Sequence, residues 1–333
     1  MKKSLQTWIE TVWYKKDTPS FWLVFLSAIF KTSAACRRFL YQSGYLKSVK
    51  LPVPVIIVGN LSVGGTGKSP LVIYLAQALN NAGYKPGIIS RGYGGKATQW
   101  PQRVYATSNP DQVGDEAVMI ATRSNCPVAV DAVRSNAAQQ LLAETDCNVI
   151  ISDDGLQHYA LQRDIEIAVI DGERRLGNGY CLPAGPLREP TSRLQDVDFV
   201  VVNGSPLQPA EWAMQIRAEV AINLQSGEEK PLAHFCNTPV HALAGIGNPQ
   251  RFFNLLHSVG IHHTPTIFPD HYHYQATDVL YNDVLPVLMT EKDAVKCRAF
   301  CTKQHWYVPI NVELESRFTQ QLLHLLQEKT HGY

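Results

Sequence analysis

Apolar residues in this chain gather into short unbroken runs, and stretches of helical periodicity separate them. The runs fall at residues 53–58, 86–90, 126–130, 147–152, 165–170 and 199–202. Between them, amphipathic stretches occupy the segment ending at Gly83, then residues 114–123 and 133–144. A strand covered on both faces reads as a continuous apolar run, and helices between such strands make parallel crossovers. The pattern therefore predicts an α/β fold with a doubly wound, mostly parallel sheet over residues 51–225. Residues 204–232 are rich in Pro, Gln and Glu, with a candidate strand at 218–224, and read as a junction. Beyond it, strands at 240–244, 286–289 and 306–308 alternate with helices, one of them at 250–258. This predicts a second, smaller α/β domain over residues 226–333. Its turn Gly245-Ile-Gly-Asn-Pro249 is a weak nucleotide-site signal.

Residues 1–50 are different. Their most hydrophobic stretch, residues 21–30, is about half of the roughly 20 apolar residues that a spanning helix needs. Glu10 and Asp17 stand where a secretory signal would be basic, and no clean cleavage site follows. Nine Lys/Arg against two acids give this segment a net charge of +7, while the whole chain carries only +1. The expected arrangement is a membrane-associated helix lying in the interface, aromatic residues in the acyl region and Lys/Arg at anionic head groups. An ordinary N-terminal helix packed on the body is the alternative. The near-zero overall charge argues against a nucleic-acid binder. Seven cysteines without a Cys-x-x-Cys suit reduced thiols in a cytosolic protein, and Cys297 and Cys301 read as one helix face. Nothing points to an obligate protein partner.

The chemistry concentrates in the loop after the first apolar run. Ser62-Val63-Gly64-Gly65-Thr66-Gly67-Lys68-Ser69 lies between a strand and a helix. Backbone N–H groups of such a loop converge on phosphate oxygens, Lys68 reaches the β/γ-phosphates, and the Ser69 hydroxyl serves Mg²⁺. The strict pattern has Gly where Ser62 stands, so the loop is a variant. Asp153 and Asp154 end an apolar strand, where P-loop proteins place a carboxylate beside the nucleotide's metal. Asp115 and Glu116 open a helix, and the pattern alone favours a dipole role for both. His262, His263, His271 and His273 match no standard zinc spacing.

Together these motifs resemble one family, the tetraacyldisaccharide 4′-kinases of Gram-negative bacteria. The resemblance rests on Gly64-Gly-Thr-Gly-Lys-Ser-Pro70, Ser90-Arg-Gly-Tyr-Gly94, Gly114-Asp-Glu-Ala117 and Asp153-Asp-Gly-Leu-Gln-His158. It continues with Leu182-Pro-Ala-Gly-Pro-Leu-Arg-Glu189, Phe268-Pro-Asp-His271 and Thr290-Glu-Lys-Asp293, in the family's order. Ser69 departs from the Thr of many members but keeps the hydroxyl.

The resemblance implies transfer of the γ-phosphoryl of ATP to the 4′-hydroxyl of a tetraacyldisaccharide 1-phosphate, a glycolipid, at the cytoplasmic face of the inner membrane. It implies two α/β domains around a cleft, with Asp115 and His271 as the base pair, Asp115 taking the proton of the hydroxyl and His271 from the second domain tuning or orienting it. Lys68 then offsets charge on the transferring group. Mg²⁺ is expected near Ser69, Glu116, Asp153 and Asp154, and Arg134, Gln157, His158, Arg188 and Glu189 are further candidates for phosphate, sugar or hinge contacts. The competing class is a membrane-recruited ATPase or GTPase switch without a lipid substrate. Partition-type loops carry a lysine where Val63 stands, and the GTPase signature would need the lysine of Thr290-Glu-Lys-Asp293 one place earlier.

Overall fold

In the computed structural model the continuous apolar runs form the centre of a nine-stranded sheet. Its spatial order is Asn311–Leu314, Glu211–Arg217, Phe199–Asn203, Ile165–Asp171, Val55–Gly59, Val149–Asp153, Pro86–Ser90, Val128–Val130, Gln102–Val104. The seven inner strands are parallel, and the two edge strands are antiparallel to their neighbours. Every residue of Val55–Gly59 and Val149–Asp153 is buried, which is why these strands show no alternation. One face packs on Lys68–Asn81, Asp115–Ser124 and the C-terminal helix Ser316–Thr330; the other packs on Arg134–Glu144. The structure describes residues 2–15 and 18–330, with side chains from residue 8 onward. Lys16 and Asp17, and the side chains of Lys2 and Lys3, which entered the N-terminal charge, lie outside what is described.

A second sheet of six strands runs Glu229–Pro231, Val220–Asn223, His305–Val308, Val287–Thr290, Val240–Ala244, His263–Ile267, with the last four parallel. Its core holds Phe252, Phe253 and Leu256 of the helix Pro249–Ser258. The chain passes to this sheet between Arg217 and Val220 and returns after Val308. This corrects the expectation of a second unit running unbroken from residue 226 to 333. Asn311–Leu314 pairs with Glu211–Arg217, and Phe318, Leu322 and Leu326 are buried in the first core. The i, i+4 stripe of that last helix predicts an apolar face without saying which core it meets.

The N-terminal run belongs to a 22-residue helix, Phe21–Gln42, preceded by Lys2–Tyr14. Among the described residues no helix is long and apolar enough to cross a membrane. Both helices dock on one stretch of the body: Trp13 Nε1 donates to Pro183 O at 3.0 Å, Ser27 Oγ to Cys181 O at 2.7 Å, and Asn178 Nδ2 to Val12 O at 3.1 Å. The opposite side of the longer helix leaves Phe21 and Trp22 75% and 71% exposed, with Phe25 and Ile29 beside them.

If the C-terminal helix completes the first core, Phe318→Ala should cost about 3–5 kcal/mol of global stability in urea unfolding. A loss under about 1 kcal/mol would mean that the helix is peripheral to that core.

Candidate active site

The strand Val55–Gly59 delivers the chain into the glycine loop, and the helix Lys68–Asn81 carries it away. Gly67 makes the turn possible. Its φ is +96°, and a Cβ there would lie 2.8 Å from Asn203 Nδ2 and 2.9 Å from Met214 Cε. Neighbours fix the loop from outside. Asn203 Nδ2 donates to Thr66 O at 3.1 Å, Asn60 Nδ2 to Gly64 O at 3.3 Å, and Val63 N to Pro186 O at 2.9 Å. The helix has no acid in its first turn, so its positive end faces the loop undiminished. Residues 63–69 line a cleft of about 1210 Å³. Ser62 does not: it is buried and bridges Leu187.

Two carboxylates stand at the adjoining strand end. Asp154 accepts from Arg188 Nη1 at 3.2 and 3.1 Å and lies 3.5 Å from Lys68 Nζ. Burial opposes its charge, but Lys68 and Arg188 outweigh burial and hold it below the usual range. Asp153 is the reverse: burial, with the negative charges of Glu116 and Asp154, pushes its carboxyl up. Its Oδ1 is buried without a hydrogen-bond partner. Gln157, Arg188 and Glu189 also line the cleft, and Gln157 Nε2 donates to Glu189 Oε2 at 3.0 Å. Arg134 and His158 are placed otherwise and are not part of the cleft wall. Arg134 is buried beneath it, its Nη2 3.4 Å from Asp153 O and 3.5 Å from Asp154 O. Burial and the charges of Arg134 and Arg163 push the His158 imidazole down to about 4.

Across the cleft, Asp115 begins the helix Asp115–Ser124 and is only 4% exposed. His271, from the second unit, places Nδ1 3.1 Å from both of its oxygens. Lys296 Nζ stands 3.6 Å from Asp115 Oδ2. Burial would push Asp115 up, but the His271 hydrogen bond and the charges of Lys292 and Lys296 outweigh it and hold the carboxyl at about 2. The same hydrogen bond raises the His271 imidazole above its ordinary 6.5. Glu116 is engaged differently. Lys292 Nζ donates to Glu116 Oε1 at 3.0 Å and to Asp270 Oδ1 at 3.0 Å, and lies 3.5 Å from His271 Nε2. His271 and Glu116 line the cleft, while Asp115 stands behind them. Among the described residues no three His, Cys, Asp or Glu side chains form a ready metal cluster.

Several cleft residues had escaped the sequence reading. Lys292 sits inside Thr290-Glu-Lys-Asp293, but nothing in its spacing marks it as a partner of Glu116. Ile216, Ile246, Phe252, Leu255, Val308 and Ile310 add apolar side chains from both units to the cleft lining, and Asn203, Gln215 and Asn248 also line it. The turn at residues 245–249 faces the glycine loop directly: a Cβ on Gly247 would lie 3.7 Å from Gly65 N. Arg251 Nη2 donates to Asp171 Oδ1 at 2.9 Å across the same opening. Phe30, Ser33, Ala34 and Arg37 bring the N-terminal helix to the wall on another side.

The family described as Tetraacyldisaccharide-1-P 4′-kinase matches residues 19–327. The Tetraacyldisaccharide 4′-kinase of Nitrosococcus oceani is 53% identical over 317 residues, 95% of this chain and 93% of its own. That of Pseudoalteromonas atlantica is 50% identical over 304 residues, 90% and 97% of the two chains. A crystal structure of LpxK from Aquifex aeolicus in complex with ATP superposes with a TM-score of 0.77 at 30% identity, covering 92% of this chain and 97% of its own. The chain belongs to the tetraacyldisaccharide-1-phosphate 4′-kinase family.

Proposed function

We propose that this chain transfers the γ-phosphoryl group of ATP to the 4′-hydroxyl of a tetraacyldisaccharide 1-phosphate, working at the cytoplasmic face of a bacterial inner membrane. The observation that carries this reading is the convergence on one cleft of the glycine loop ending at Lys68-Ser69 and the Asp115–His271 pair. Phosphoryl transfer asks mainly for positioning and charge stabilisation. Residues 63–69 hold the triphosphate by backbone N–H groups, Lys68 offsets charge on the transferring group, and the apolar lining supplied by both units takes the adenine.

The proton of the alcohol goes to the Asp115–His271 pair. The sequence reading made the carboxylate the acceptor. With Asp115 behind the imidazole and held at about 2, the raised His271 is the better-matched base, since an acceptor works best near the operating pH. His271 Nε2 then takes the proton, and Asp115 orients the ring and stabilises the imidazolium. For Mg²⁺ the donors fit. Asp153 offers an unpartnered oxygen and Ser69 a buried hydroxyl, while Glu116 and Asp154 are already paired with cations and complete the surroundings. Mg²⁺ is commonly held by one or two carboxylates with phosphate and water; when bound it neutralises phosphate charge.

The exposed aromatic face of Phe21–Gln42 rests in the bilayer interface, and its Lys31 and Arg37 meet anionic head groups, while Arg38 is held by Asp196 of the body. The same helix walls the cleft, so acyl chains remain in lipid while the sugar enters the site.

Lys68→Ala should lower transfer of γ-phosphate label from ATP to the disaccharide by about 10²–10³-fold with the fold intact. Label released only as free phosphate by the unaltered protein would favour a switch. His271→Ala and Asp115→Ala should each lower kcat by about 10²–10⁴-fold with little change in ATP affinity. A far larger loss at Asp115 than at His271 would return the acceptor role to the carboxylate. Replacing Phe21, Trp22, Phe25 and Ile29 by Ser should cut co-sedimentation with anionic vesicles roughly tenfold or more; undiminished binding would refute the interfacial helix.

A further inference from the structure

Arg123 lies near the far end of the helix that Asp115 begins, about 12 Å along its axis at 1.5 Å per residue. Its guanidinium reaches out of the body. Nη1 donates to both oxygens of Glu291, at 3.1 and 2.9 Å, and Nη2 donates to Asn311 Oδ1 at 2.6 Å and to Ile310 O at 3.5 Å. Glu291 is buried and opens the second unit's helix Glu291–Cys297, which carries Lys292 against Glu116 and Lys296 against Asp115. Ile310 and Asn311 are where the chain comes back to the nine-stranded sheet. One side chain thus ties the helix bearing Asp115, the helix bearing its cationic partners, and one of the two crossings between the sheets seen among the described residues.

We propose that Arg123 is a positioning residue for phosphoryl transfer: with Glu291 and Asn311 it fixes the pivot of the cleft. The two helices then meet at the angle that sets His271 on Asp115 and Lys292 on Glu116. The physical case is leverage. Glu291 is buried and Arg123 partly so, and removing the arginine takes the nearest counter-charge from a buried carboxylate, so the packing must shift to relieve it. A shift at the pivot is carried to the reacting end, where a misplacement of about 1 Å can cost about 10²-fold in rate. The glycine loop belongs wholly to the body, so the grip on the ATP phosphates does not depend on this angle, while the apolar lining proposed for the adenine is shared by both units and follows it in part. The proposal rests on reading the cleft as the transfer site.

The test uses the full chain with ATP and the tetraacyldisaccharide 1-phosphate. It compares Arg123→Gln, Glu291→Gln and the double variant for kcat, KM and separately measured ATP affinity. Each single variant should lose about 10–100-fold in kcat with a clearly smaller loss of ATP affinity, and the double variant should be no worse than the worse single. Arg123→Lys should not restore kcat, because an ammonium cannot hold Glu291 and Asn311 in one fork. Unchanged kcat in both singles, losses that multiply in the double, or a loss of ATP affinity in proportion to kcat would each overturn the pivot. Should Arg123→Gln fail to fold, the isosteric Glu291→Gln decides alone by the same criteria. Failure of the unaltered protein to label the disaccharide would sink the reading of the cleft; labelling with unaffected variants would sink only the pivot.

Discussion

A carboxylate taken out of water must be matched by positive charge or hydrogen-bond donors, and Asp115 finds few of either on its own domain. Its helix supplies one backbone N–H, from Glu116 at 2.8 Å. The rest comes from the other sheet: the His271 ring, with Lys292 and Lys296 behind it. Orientation of the buried carboxylate against a ring therefore depends on the second unit being docked, and that unit also brings the charges that keep it ionised once buried. Docking in turn is held by the ion pairs Lys292–Glu116 and Arg251–Asp171 and by the Arg123–Glu291 pair near the crossing. Assembly of the Asp115–His271 pair and docking of the second unit are one event. That suits a reaction in which a sugar alcohol must win over water.

The nucleotide side obeys a separate constraint. The glycine loop is positioned by the sheet, through Asn203 at the end of one parallel strand and Asn60 just beyond another. It is also pinned by the segment around residues 178–189. That segment accepts hydrogen bonds from Trp13 and Ser27 at one end and, at the other, pairs its backbone with Leu61 and Val63. The N-terminal helices and the phosphate loop are thus two ends of one hydrogen-bonded connection. The proposed lipid-facing surface and the proposed nucleotide site share a frame without sharing a residue.

Much of this was legible in the residues. Fully buried parallel strands announce themselves as continuous apolar runs, and the predicted strands at 86–90, 165–170 and 240–244 differ from the observed ones by a residue at most. The strand Glu211–Arg217 was missed although Trp212, Met214 and Ile216 alternate, because the Pro- and Gln-rich flank suggested a linker. His263–Ile267 was missed because Pro265 argues against a strand; it is tolerated there since the strand lies at a sheet edge. Of the site, the glycine loop carries its own local logic. The pairing of Asp115 with His271 does not: they are 156 residues apart, and the pattern around Asp115 suits a plain helix start, so family resemblance supplied the pair. Lys292 and Arg123 make their contacts between the two sheets' layers, and no periodicity within either layer encodes them.

The most direct test of the account is the titration of the His271 ring, followed by NMR of the side-chain nitrogens in the full chain without nucleotide. If Asp115 reaches across the cleft as described, the midpoint lies above the ordinary 6.5, and Asp115→Asn brings it back down. A midpoint at or below 6.5 that does not respond to Asp115→Asn would mean that the two sheets do not meet through this pair.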